Sequence, residues 1–399
     1  MAISRWRELV GRGKRNPGRR LLPPAALVSG VILVATVATV AASEARVTGP
    51  IPERLSDKEF WALSAELSEP AGFFRSDNLV GNEVTMQHPI PELVAATPRQ
   101  GVYLGVGPDQ NFTYIAAMRP KIAFVVDIRR LNVMQHLFYK SLFELSPTRA
   151  DFLSRLFSRR RPAGMDTATS IETMMLAYQQ VMPDSGLYQE TLQVLRDHLR
   201  TTHGFPITDE EYAGIEYVAT AFYTAGPELT YNFGTGRGGR GFGGGRYMPT
   251  YGQMMAETDG QNVARSYLGN EENYRVIRDM QQRNLIVPVT GDFAGPKALR
   301  AVGNWVRAHD ATISAFYTSN VEQYLFQSDV NWRAFFSNVA TFPVTPQSTF
   351  IRALFNMGGY GPSPGPRSVT MLCPIERHVA AYHAGTLQSY YNVAECPAK

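Results

Sequence analysis

One stretch constrains this chain more than any other. Residues 101–130 open with a short apolar run, Val102-Tyr103-Leu104, that ends in Gly105-Val106-Gly107. A short amphipathic segment follows, then a second apolar run closed by Asp127. Strand, glycine turn, helix, strand and acid is the order in which nucleotide- and nucleoside-binding α/β sheets begin. Twenty positions separate Gly107 from Asp127, which fits one βαβ crossover.

The rest of the chain continues that alternation with one long interruption. Residues 46–100 read as a linker and an N-terminal helical segment, with Ser56 as the cap of a helix reaching about Leu67. Residues 69–83 are polar, contain glycine and read as irregular, with an unusual density of Arg, Asp, Asn and Glu. A helix over about residues 84–95 leads to the first strand. After Asp127, Leu131, Met134, Leu137, Phe138 and Leu142 recur at helical spacing. Helical patterns then run on without a strand, which predicts a helical insertion over about residues 146–225. A helix is expected over 266–282 and a strand over 284–289. Pro296 should open a helix to about Ala308. Further strands are expected over 311–317, near 338–342 and over 368–373. Strands separated by helices imply an α/β fold with a mostly parallel sheet covered on both faces.

Charge separates the leader from the body. Residues 1–45 carry seven basic side chains against two acids, so the net +4 of the 399-residue chain leaves −1 for the remainder. That balance gives no basic bias toward nucleic acid. The basic start precedes an uncharged apolar run over residues 21–42, the pattern of a signal peptide or N-terminal membrane anchor. It predicts a body outside the cytoplasmic membrane, periplasmic, secreted or held by a single N-terminal helix. The two cysteines, Cys373 and Cys396, would pair if the body is exported and stay thiols if it is not. The glycine-rich residues 232–247 contain no Gly-Lys-Ser/Thr and read as a surface loop rather than an RGG segment.

In open α/β sheets ligands sit beyond the C-terminal ends of the strands. The sequence places Gly105, Gly107, Asp109, Gln110 and Asn111 after the first strand, and Asp127, Arg129 and Arg130 after the second. Gly291 and Asp292 follow the third, and Tyr317, Ser319, Asn320 and Glu322 the fourth. Gly105, Gly107, Asn111, Asp127, Arg129, Gly291 and Asp292 are the candidate cofactor-binding residues; Asp292, Asn320 and Glu322 are the catalytic candidates. Asp127 has a second reading as a partner of Arg129, and Glu322 as a first-turn helix acid. None of the seven histidines forms a metal-ligand pair on one helical face, so no metal is expected. No Gly-x-Ser-x-Gly elbow is present.

Gly105-Val106-Gly107, Asp127 and Gly291-Asp292 together resemble the class I S-adenosylmethionine-dependent methyltransferases. That resemblance implies a Rossmann-like sheet, S-adenosylmethionine or a related nucleoside as ligand, and methyl transfer as the activity. The glycine loop would lie against the methionine part, Asp127 would hold the ribose and Asp292 would lie near the adenine. Over nearly the whole body the chain is similar to an uncharacterised bacterial family with such a fold. The stretches that carry this are 103–114, 127–130, 284–300 and 314–324. The pattern departs from the methyltransferases at Tyr317-Thr318-Ser319-Asn320, where an Asn/Asp-Pro-Pro-Tyr often stands, and a third glycine is absent after the first strand. A non-catalytic cell-envelope binding protein that kept the fold and lost the cofactor is the rival expectation. A different enzyme on the same rim, with Asp292 or Glu322 as general base, is a third.

Overall fold

The computed structural model describes residues 49–97, 100–231, 233, 248–355 and 368–396. The leader, nearly all of the glycine-rich segment and the Gly/Pro stretch at 358–366 lie outside the described residues. No helix among the described residues is long and apolar enough to cross a membrane.

Six strands form one sheet in the order β3-β2-β1-β4-β5-β6. They are β1 (Val102–Gly105), β2 (Ile122–Asp127), β3 (Ile286–Thr290), β4 (Ile313–Ser319), β5 (Thr349–Phe355) and β6 (Ser368–Pro374). The first five run parallel, and β6 runs antiparallel to β5. Every residue of β1, β2 and β3 is buried, as expected when helices cover both faces. The order reverses between β1 and β4, where such sheets open a crevice at their strand ends.

Helix α1 (Asp57–Leu67) starts where its cap predicts. The Ser56 hydroxyl accepts from the Glu59 N–H at 3.3 Å, and the Glu59 carboxylate accepts from the Ser56 N–H at 2.7 Å. It buries Phe60, Leu63 and Leu67. The Ser64 hydroxyl donates to the Pro288 carbonyl at 2.5 Å and fastens the helix to β3. Short α2 (Ile90–Ala96) precedes β1, α3 (Gln110–Met118) joins β1 to β2, and α4 (Arg130–Leu145) leaves β2. The predicted insertion is helical: α5 (Arg149–Phe157), α6 (Ile171–Gln180), α7 (Ser185–Asp197), a π turn at His198–Thr202 and α8 (Asp209–Ala225). Helices α5 and α8 pack on α4 through rings rather than on the sheet. Phe143 meets Phe152 at 4.6 Å, and Phe138 meets Phe222 at 6.2 Å. Then come α9 (Tyr251–Ala256), α10 (Glu271–Gln282), α11 (Ala298–Ala308), α12 (Val321–Leu325), α13 (Asp329–Val339), α14 (Ile375–His383) and α15 (Tyr390–Ala394).

Four expectations need correction. The helix expected from 266 begins only at Glu271, because Asn270 is its cap and accepts from the Asn273 N–H at 2.8 Å. Residues 84–89 form turns, and helix starts at Ile90. The helix after Pro296 starts at Ala298. Residues 338–342 are the end of α13 and a turn; the strand lies later, at Thr349–Phe355. Cys373 of β6 is joined to Cys396 by a disulfide that ties the C-terminal segment to the sheet edge.

Candidate functional site at the strand ends

The glycine turn after β1 is held from inside. A Cβ on Gly105 would lie 1.9 Å from Asn111 Oδ1 and 2.8 Å from the Tyr103 ring, so the position excludes any side chain. Gly107 turns with φ +77°. Asn111 is fully buried; its amide donates to the carbonyls of Val106 at 2.9 Å, Gly107 at 3.2 Å and Pro108 at 2.7 Å. Its Oδ1 accepts from the Tyr103 hydroxyl at 3.0 Å. Asn111 therefore knots the loop, and all its polar atoms are spent on protein. His136 Nε2 lies 2.9 Å from the Gly107 carbonyl. Burial pushes that imidazole down to about 4, so it is neutral, donates from Nε2 and carries its lone pair on Nδ1. Buried Asp109 accepts from Tyr267 at 3.2 Å, and burial pushes its carboxyl up to about 7.

After β2, Asp127 and Arg129 face each other. Arg129 Nε reaches Asp127 Oδ1 at 2.9 Å and Nη2 reaches Oδ2 at 2.7 Å; the Arg129 N–H adds a third bond at 2.9 Å. Both side chains are more than nine-tenths buried. Arg129 Nη1 also donates to the carbonyls of Ser76 and Asp77. After β3, Gly291 donates to the Asp127 carbonyl at 2.8 Å. Asp292 turns its carboxylate back to its own loop, accepting from the Ala294 N–H at 2.9 Å.

After β4 the catalytic candidates separate. Glu322 is buried against Arg352, with Oε2 to Nε at 2.6 Å and Oε1 to Nη2 at 2.9 Å. Arg352 Nη1 continues to His378 Nε2 at 3.1 Å. Glu322 is thus one half of a buried ion pair between α12 and β5. Asn320 donates to Gln323 at 3.3 Å. The rim keeps Gly105, Gly107, Asp127, Gly291 and Asp292 along neighbouring strand ends, whereas Glu322 points into the β5 side of the core.

The residues between α1 and α2 supply what the motif-based reading left out. Residues 69–83 form a strap that runs from the end of β3 past the end of β2 to β4. The Glu69 N–H donates to the Thr290 carbonyl at 3.0 Å, and its carboxylate accepts from the N–H groups of Asp292 at 2.8 Å and Lys297 at 3.0 Å. That carboxylate sits at the start of α11, the position where such folds hold an anion. Gly72 donates to the Ile128 carbonyl at 2.9 Å. Gln135 of α4 donates to the Leu79 carbonyl at 2.6 Å. Glu83 ends the strap under β4, accepting from Tyr317 at 2.8 Å and from the Ser319 hydroxyl. Burial pushes Glu83 up to about 7 against those hydroxyls. Ser319 holds this pose with φ +51°. The polarity of residues 69–83 was the visible signal; no motif marks Glu69 or Glu83.

Several buried polar atoms flanking the strap have no protein partner: both amide atoms of Asn132, His136 Nδ1, Gln110 Oε1, Asn78 Oδ1 and Glu83 Oε2. Such groups call for water or a ligand. An open recess of about 490 Å³ lies further along, where Ala294, Pro296 and Arg300 face Ser337 and Asn338. One expectation about histidines fails. His198 and His203 converge, because the π turn spans five residues and closes His203 N–H onto the His198 carbonyl at 3.0 Å. An α-helix would have put them on different faces.

No curated protein matches the chain. The family described as a domain of unknown function, DUF7790, matches residues 79–218 and 243–373, from the second half of the strap to the end of β6, and the chain belongs to that family.

Proposed function

We propose that the chain is a non-catalytic binding protein of the cell envelope. In this reading the body keeps a Rossmann-like, class I methyltransferase-like sheet, and the rim that would take a cofactor is closed by the chain's own strap. The Asp127–Arg129 pair carries this reading. An acid that would hold a ribose has both oxygens engaged by a guanidinium that is itself anchored to the strap. Glu69 likewise takes the N–H groups at the start of α11. The ligand is then a small polar molecule lodged beside the strap, where Asn132, His136 and Gln110 offer unpartnered atoms. The basic, apolar leader and the Cys373–Cys396 disulfide support an oxidising compartment outside the cytoplasmic membrane.

The second reading, an S-adenosylmethionine-binding methyltransferase, is favoured by the strand order with its antiparallel β6 and by the Gly107 turn. A thermal-shift titration of the full chain with S-adenosylmethionine separates the two. Millimolar ligand should leave the melting temperature unchanged. A rise that Asp127→Asn removes would transfer the assignment to the methyltransferase.

A further inference from the structure

A second constellation lies at the opposite end of the sheet. Glu144 stands near the end of α4, His198 opens the π turn, and His203 follows it. Glu144 Oε2 is 2.7 Å from His198 Nε2 and 2.7 Å from His203 Nε2, and the two Nε2 atoms are 3.2 Å apart. Asn284, which precedes β3, joins the same network through Lys140 and Asp57. The cluster therefore sits below the N-terminal edge of β3, away from the strap.

The donor atoms of this cluster are arranged as a metal ion would need them. The Asp57 carboxylate lies 2.7 Å from His203 Nδ1 and can only accept, so Nδ1 carries the hydrogen. In a neutral ring Nε2 then presents a lone pair. That lone pair faces a carboxylate oxygen and a second imidazole nitrogen. Glu144 Oε2 can accept a hydrogen from either ring, and the same three atoms can instead share a metal ion. A triangle with these sides leaves a point about 2 Å from all three atoms, the length of a zinc–nitrogen or zinc–oxygen bond.

We propose that Glu144, His198 and His203 form a binding site for a divalent transition-metal ion of the zinc class, with Asp57 as the positioning residue for His203. The donor set is two imidazoles and one carboxylate, suited to zinc, cobalt or nickel rather than magnesium or calcium. Asp57 on the far nitrogen of His203 is the carboxylate–histidine–metal arrangement that fixes ring and tautomer. Phe205 stacks on the His203 ring at 4.9 Å with planes 6° apart and holds its orientation. Glu144 binds through one oxygen only, because Lys140 holds the other at 2.7 Å. Lys140 offsets the carboxylate charge, so affinity rests on the imidazoles and on Asp57. The three ligand side chains are 16%, 9% and 8% exposed, which leaves one side for a water as fourth ligand. The ion would join the start of α1, the end of α4 and the end of α7 at one point.

The test uses the full chain without a polyhistidine tag, stripped of metal with a chelator and titrated with Co²⁺. The expected result is one tightly bound cobalt with the visible absorption of a four-coordinate site, displaced by Zn²⁺, and a melting temperature raised by Zn²⁺. His198→Ala should abolish the band. Asp57→Asn should keep the band and weaken binding roughly 10- to 100-fold. Absence of the band in the unaltered chain overturns the proposal whatever the variants do. A band that survives in folded His198→Ala places the cobalt elsewhere and also overturns it. If His198→Ala does not fold, the Asp57→Asn affinity decides, and an unchanged value overturns the site.

Discussion

Glu83 shows how much a single buried carboxyl can govern. Burial raises it from an ordinary 4.5 to about 7, while Tyr317 and Ser319 pull the other way. A carboxyl raised in the folded state favours the protonated native form. Its contribution is complete below about pH 4.5 and is lost as pH climbs through about 7. Glu83→Gln keeps an oxygen for both hydroxyls and removes the titration. Urea unfolding should find the two proteins equally stable near pH 4. At pH 8 the variant should be more stable by up to roughly 3 kcal/mol. Asp109 titrates in the same window with the same sign, so some slope stays in the variant and the difference between the two proteins is the quantity to read. A difference that does not change with pH would sink the assignment. The Asp127–Arg129 pair behaves otherwise, because each partner satisfies the other. Removing one leaves a buried charge, which costs several kcal/mol.

Among the elements, legibility followed the range of the interactions. Residues 101–130 could be read because the strand, the turn and α3 are set by neighbours within the stretch. Gly105 is fixed by Asn111, six positions on. Strand β5 hid behind Arg352, a charge in the middle of an otherwise apolar run. That charge is tolerated only because Glu322 and His378 meet it from elsewhere in the chain. Burial, with Arg352 beside it, pushes His378 down to about 3, so it meets Arg352 as a neutral acceptor. The strap's polarity was visible, but its partners lie up to 236 positions away. The two histidines were hidden by the π turn, whose spacing helical periodicity does not anticipate. At the C-terminal edge the disulfide closes a separation of 23 residues. Chain-entropy arguments give such a link about 3 kcal/mol. Reduction, or Cys373→Ser with Cys396→Ser, should lower stability by about that amount and expose α15 to proteases first. Unchanged unfolding midpoints after complete reduction would show that the link does not hold the edge.

For the whole molecule, the sheet's wiring decides what can fold alone. The central strand β1 needs β2 on one side and β4 on the other. A chain ended after residue 311 lacks β4, β5 and β6 and leaves Glu83 without Tyr317 and Ser319. It should melt without a cooperative transition by circular dichroism and fall quickly to protease. A sharp melt would mean that the chain up to residue 311 is an independent unit.

The position of β1 also sets when folding can finish. Its second neighbour begins at residue 313 of 399, so the ribosome has made more than three-quarters of the chain before the middle of the sheet can be flanked on both sides. Until then the Glu83 end of the strap lacks Tyr317 and Ser319, the hydroxyls that hold it. On the export reading, that delay keeps the polypeptide threadable while it is being made. Passage through a channel for unfolded chains and late closure of the latch would then be one property of strand order.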